Sequence, residues 1–203
     1  LVENGHNTWK IYLPPNNPTS SDFRVIRETI RNEYNEHGIR AVVLHFAGLY
    51  ADDGDCNFYF ADPDSDLNAV RDNIRELAEG LKDLGPAVAF VQLGNENEYY
   101  VPGASSVRLG GNALWDTVNR LNAAQYHEFM NELAGIYRSI DGNHPVFLGH
   151  GNLYPSQMDL LRSNTSNFDG LALNLYPNYS PRSTQPLMSV EQLREHFGEH
   201  LRL

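Results

Sequence analysis

The stretch Val88-Ala89-Phe90-Val91-Gln92-Leu93-Gly94-Asn95-Glu96-Asn97-Glu98 decides how this chain is read. Six mostly apolar residues run into a glycine, and the chain then turns sharply polar. A parallel strand covered on both faces has this near-continuous apolar character. The pair Asn95 and Glu96 is therefore delivered at the carboxyl end of a buried strand. In a βα barrel that end carries the chemistry, so Glu96 is a candidate catalytic carboxylate.

Upstream, Thr8 to Leu13 reads as a strand stopped by Pro14, Pro15 and Pro18. Phe23, Ile26, Ile30 and Tyr34 form one helical stripe, with Ser20, Ser21 or Asp22 as cap and Gly38 as stop. Ile39 to Phe46 is the next strand, and His45 lies near its end. A polar loop from Gly48 to about Asp64 follows, and its aspartates read as solvated surface. Asp52-Asp53-Gly54-Asp55 lacks the spacing of an EF-hand loop. Leu67, Val70, Ile74, Leu77, Leu81 and Leu84 repeat at helical steps until Gly85-Pro86.

Downstream, a Gly-, Ser- and Tyr-rich loop spans Tyr99 to about Asn112. A helix is expected from about Ala113 to Ile140, then a strand from Pro145 to His150. A short helix near Ser156 to Arg162 precedes a strand from Phe168 to Tyr176, closed by Pro177. Val190 to about Leu201 makes a last helix. The order is β-α five times over, which implies parallel strands joined by right-handed crossovers. The fold class is α/β, of the TIM (β/α)8 barrel type, apparently partial, with residues 1–203 as a single domain.

The chain has 203 residues, of which 41% are hydrophobic, enough for one sizeable core. Its formal charge is −11, from 26 acidic and 15 basic side chains. Such a surface repels nucleic acid and anionic membranes, so neither is expected as a partner. No apolar run approaches the roughly 18 residues of a membrane span. The start, Leu1-Val2-Glu3-Asn4, has neither the basic nor the apolar region of a signal peptide, and the missing initiating Met points to a processed, trimmed or excerpted chain. The lone Cys56 excludes an internal disulfide and a Cys-based zinc cluster, and it is compatible with a secreted or extracellular protein without showing one.

The strand ends offer Lys10 and Tyr12, His45, Asn95 and Glu96, His150, then Asn174 and Tyr176. In a closed or nearly closed parallel sheet these positions converge on one mouth. An acid flanked by amide, imidazole and phenol groups suits a neutral, polyhydroxylated substrate. Trp115, Tyr99, Tyr100, Tyr154 and Tyr179 supply aromatic faces for sugar rings from the loops. An oligo- or polysaccharide is the expected ligand, with no cofactor and no metal.

Gly94-Asn95-Glu96-Asn97-Glu98 at the end of an apolar strand resembles the acid/base motif of the large clan of retaining (β/α)8-barrel glycoside hydrolases, which holds cellulases, mannanases and β-galactosidases. His6-Asn7-Thr8-Trp9-Lys10-Ile11-Tyr12 is similar to the clan's second strand, and His37-Gly38-Ile39-Arg40 to the run into its third. Phe168-Asp169-Gly170-Leu171 through Asn174-Leu175-Tyr176-Pro177 resembles its sixth. The resemblance implies Glu96 as general acid/base and Asn95 as the ligand of the sugar 2-hydroxyl. Beside these two, the strand ends and loops offer Lys10, His45, His150, Asn174, Tyr176 and Trp115 as candidate substrate contacts. Lys10 stands where the clan usually has Arg, and Lys lacks the planar fork for a bidentate contact.

The same resemblance places the clan's nucleophile, a Glu closing the seventh strand, beyond residue 203. The chain corresponds to strands two to six, so the isolated chain is expected to lack the partner of Glu96. Retention needs two carboxyl groups about 5–5.5 Å apart. Unpaired sheet edges invite association, so self-association or a second chain completing the barrel is a further expectation. Two other functions stay open at this stage. One is a metal-dependent barrel enzyme using His45, Glu96 and His150; the other is a non-catalytic carbohydrate-binding protein on a degenerate barrel.

Overall fold

The computed structural model describes residues 7–13, 20–45, 49–51, 58–60, 63–94, 123–150, 161–173, 191–192 and 195. Its elements run β1 (Thr8–Leu13), α1 (Ser20–His37), β2 (Arg40–His45), β3 (Leu49–Ala51), β4 (Phe58–Phe60), α2 (Pro63–Leu81), a 3₁₀ segment (Lys82–Ala87), β5 (Val88–Leu93), α3 (Ala123–Ile140), β6 (Val146–His150) and β7 (Gly170–Leu173). The expected helices near 156–162 and 190–201, and the first part of the one from 113, lie wholly or largely outside the described residues.

Five strands form one sheet in the order β1-β2-β5-β6-β7, and every neighbouring pair is parallel. Strand order follows chain order, with only the β3-β4 hairpin set apart. A doubly wound sheet reverses direction at a switch point. An order that never reverses, built with right-handed crossovers, keeps its connecting helices on one face, as in a barrel. The expected five-stranded parallel α/β sheet is therefore present. The hairpin was not expected: Leu49–Ala51 and Phe58–Phe60 pair antiparallel inside what reads as a polar loop.

Register sorts the side chains. Residues paired across parallel strands point to the same side, and successive residues alternate. One side carries Leu13, Ala41, Val43, Val91, Leu93, Val146, Leu148 and Leu171, all in one buried cluster. That cluster continues into Ile30 of α1, Val70, Ile74, Leu77, Ala78 and Leu81 of α2, and Phe129, Met130, Leu133, Ala134 and Tyr137 of α3. This is the helix-packed face. The other side carries Lys10, Tyr12, Val42, Leu44, Phe90, Gln92, Phe147, Gly149 and Ala172. Phe90 and Phe147 stack there with centroids 4.5 Å apart. None of these residues belongs to the helix-side cluster. They form the face that a barrel turns inward.

The helices are also joined to one another. Arg71 of α2 grips both carboxylate oxygens of Glu132 on α3, at 2.6 and 3.0 Å, with its guanidinium 5.0 Å from the Phe129 ring centroid. Asn167 donates twice to Asn131: its backbone N–H to Asn131 Oδ1 at 2.9 Å and its Nδ2 to the Asn131 carbonyl at 3.0 Å. This ties the segment before β7 to α3. Among the described residues no helix is long and apolar enough to cross a membrane.

Candidate functional site

The carboxyl end of β5 is held from both flanks and by a side chain of its own strand. Its last ladder residue, Leu93, pairs with His45 on one flank and Leu148 on the other. Gly94 follows in the left-handed region, at φ 73°, a conformation that side-chain-bearing residues rarely adopt. Its N–H still reaches β2, donating to the His45 carbonyl at 2.8 Å. Its carbonyl accepts from Gln92 Nε2 at 2.9 Å. Across the sheet, a Cβ on Gly149 of β6 would collide with that carbonyl oxygen and with the Gln92 amide. The apolar run thus ends at a glycine fixed by both of its backbone groups, and Asn95 and Glu96 follow it in sequence.

Lys10 and Tyr12 share the inward face with Gln92. The Lys10 ammonium lies 5.5 Å from the centroid of the Tyr12 ring, and Tyr12 is 59% exposed. This is the geometry of a cation–π contact.

His45 and His150 occupy the other parity. His45 pairs with Leu93, and His150 stands two residues beyond Leu148, so both fall on the helix-packed face. His45 is 2% exposed and His150 1%. His150 faces α3, where the ring of His127 lies 6.3 Å away, centroid to centroid. Burial depresses the pKa of His45 from 6.5 to about 4, so its imidazole is neutral at pH 7. The structure does not bring these two rings onto the face that carries Lys10 and Gln92. Asn95, Glu96, Trp115, Asn174 and Tyr176 lie outside the described residues. Among the described residues no three His, Cys, Asp or Glu side chains cluster as metal ligands.

Two features of this end escape a reading of the sequence alone. Gln92 is one; its only signal is a polar residue inside an apolar run. His127 is the other, since it sits in a helix whose periodic pattern already accounts for its neighbours.

The opposite end of the sheet holds a buried polar cluster. Asp141 Oδ2 accepts from Tyr137 Oη at 2.7 Å and faces His144 Nδ1 at 2.5 Å. Asp141 Oδ1 caps the backbone N–H groups of Asn143 and His144. His144 Nε2 faces the Gly85 carbonyl at 2.7 Å. Burial would raise the Asp141 pKa, but the hydrogen bonds from Tyr137, His144 and the Asn143 N–H bring it below the ordinary carboxylate value. Burial, with Asp141 alongside, pushes the Tyr137 phenol up. In a barrel this end is the stability face, not the catalytic one.

Solved structures share this fold. An exo-β-1,4-mannosidase from Opitutaceae bacterium strain TAV5 superposes with a TM-score of 0.59 at 15% identity, over 85% of this chain and 32% of that one. An endo-1,4-β-mannanase from Eisenia fetida gives 0.57 at 12%, over 85% and 58%. A fungal β-1,4-galactanase gives 0.58 at 15%, over 88% and 55%. The fold is shared with TIM-barrel glycoside hydrolases. At these identities the likeness concerns the fold, and on that level the resemblance seen in the sequence holds. The chain spans between about a third and three fifths of the length of these structures. No protein-family model and no curated protein sequence matches it.

Proposed function

We propose that this chain is the catalytic domain, or a fragment of one, of a glycoside hydrolase that cleaves with retention and uses Glu96 as general acid/base. The observation that supports the proposal is the fixed glycine at the end of β5: on a fold shared with mannanases and galactanases, Gly94 closes that strand at the sheet's carboxyl end, and Asn95-Glu96 follow it in sequence.

In this mechanism Glu96 first protonates the glycosidic oxygen and later deprotonates the attacking water. A second carboxylate, about 5–5.5 Å away, forms the glycosyl intermediate; we place it on a strand beyond residue 203. While that carboxylate is charged, repulsion keeps Glu96 protonated; once the charge is consumed, Glu96 can act as base. Asn95 is assigned to the sugar 2-hydroxyl. Lys10, Asn174 and Tyr176 are assigned to other hydroxyls and Trp115 to a ring face. His45 and His150 back the strand ends from the helix side. β-linked mannan and galactan oligosaccharides are the first substrates to try.

The test is Glu96→Gln in the natural gene product, assayed on such oligosaccharides. Loss of hydrolysis with binding retained is the expected result. Hydrolysis at the wild-type rate would sink the assignment.

A further inference from the structure

Gln92 is 2% exposed in a strand otherwise built of apolar residues. A buried amide is costly unless it is hydrogen-bonded. Gln92 donates to the Gly94 carbonyl at 2.9 Å, a group that stands just past the last ladder pair of β5. The first carbonyl beyond a buried strand has no ladder donor and needs another; the Gln92 amide supplies it. This bond lies directly over the Cα of Gly149, where a Cβ would overlap both of its partners. A residue on β5, the glycine two positions further on and a glycine on β6 thus form one fitted unit, and the Gly94 N–H anchors it to β2.

That carbonyl belongs to the peptide group leading into Asn95. A peptide group is planar, so holding its C=O holds the plane in which the chain leaves the sheet. We propose that Gln92 is a positioning residue for Glu96, acting through the Gly94 carbonyl in the space that Gly149 leaves open. Gln92 touches no substrate in this scheme. The proposal rests on the assignment of Glu96 as acid/base and adds what aims it.

Gln92→Glu gives the discriminating test because it preserves shape. A protonated carboxyl can donate to the Gly94 carbonyl, whereas an ionised one cannot and would repel it. The full chain, labelled with ¹³C-Glu and assigned with Glu96→Gln, allows the Glu96 carboxyl to be titrated by NMR in wild type, Gln92→Ala and Gln92→Glu. The expected result is a displaced Glu96 midpoint in folded Gln92→Ala. In Gln92→Glu the Glu96 signal should track the ionisation of residue 92. Superimposable Glu96 titrations in all three folded proteins would overturn the proposal.

In the active gene product, Gln92→Ala is expected to lower kcat by about 100-fold while KM moves by less than about twofold. Gln92→Glu should keep near-wild-type kcat at acid pH and lose it as residue 92 ionises. A pH profile of unchanged shape would count against positioning. Gly149→Ala should reproduce Gln92→Ala, because its Cβ displaces the same bond. Should that variant fail to fold, the isosteric Gln92→Glu still decides the matter. A wild type that cleaves no glycoside, but whose Glu96 titration moves in the variants, would remove the glycosidase assignment and leave the positioning intact.

Discussion

Asp141 and His144 face each other at 2.5 Å, carboxylate to Nδ1, while the far ring nitrogen of His144 meets the Gly85 carbonyl at 2.7 Å. Each ring nitrogen of His144 thus has an oxygen within hydrogen-bonding distance. The pair joins the end of α3, the start of β6 and the 3₁₀ segment that leads into β5.

Removing one member of a buried pair strands the other. Asp141→Asn is therefore expected to destabilise the fold by about 3 kcal/mol, read as a fall in the urea midpoint at pH 7. Tyr137→Phe, which removes a single hydrogen bond to the same oxygen, should cost about 1 kcal/mol. Equal losses for the two variants would contradict the pairing.

The pH dependence of stability carries a sign. His45 is held neutral, its pKa depressed from 6.5 to about 4. The unfolded chain binds a proton there below pH 6.5 and the folded chain does not. Its contribution is complete above pH 6.5, declines as the pH falls toward about 4, and is lost below that. The interval corresponds to about 3 kcal/mol. His45→Gln should flatten the unfolding free energy between pH 6.5 and 4, measured by urea titration at several pH values. Asp141 adds to acid sensitivity with the same sign, because its lowered pKa gives stability that disappears as the pH falls through the folded-state value.

Gly80 sits where the Phe23 ring of α1 presses against α2, so close that a Cβ would overlap the ring. Gly80→Ala should gain up to about 1 kcal/mol of helix propensity but lose more in displaced packing. In a Phe23→Ala background the loss disappears, and Gly80→Ala should become stabilising. A thermal double-mutant cycle checks this; the same sign in both backgrounds would refute it.

The bidentate Arg71–Glu132 pair is partly solvent-exposed, with Arg71 also lying over Phe129. Breaking it with Glu132→Gln should cost no more than about 1 kcal/mol and should weaken further in high salt. A salt-independent loss would assign the effect to packing.

The five sheet strands could be read from the sequence because apolar runs and helical stripes alternate without interruption, from Thr8–Leu13 to the Gly170 strand. The hairpin could not, because Leu49–Ala51 and Phe58–Phe60 are three residues each, too short for periodicity. Orientation was also hidden. A parallel strand is apolar on both faces, so nothing in Arg40–His45 or Val146–His150 tells which way its last imidazole points. Register supplies that answer, and it separates Lys10 from His45 and His150 although all three lie on strands that end at the same mouth. Asp141 lies just past the expected helix end at Ile140, where an acidic residue beside a glycine is ordinary. A Tyr, Asp and His at successive four- and three-residue steps, Tyr137, Asp141 and His144, was the signal available for the buried cluster.

The unreversed strand order has a consequence for how the molecule is made. Each new strand of the sheet docks beside the one synthesised just before it, so no strand must wait for a distant partner or be threaded between two already in place. Sheet growth can follow chain synthesis, and each added strand becomes the new edge on the growing side of the sheet. Gly94 is the point where this matters most. Its N–H finds β2 as soon as β5 is in place, but the space its carbonyl needs is bordered by Gly149 of β6. The Gly94 carbonyl is therefore enclosed one strand later than the strand that carries it.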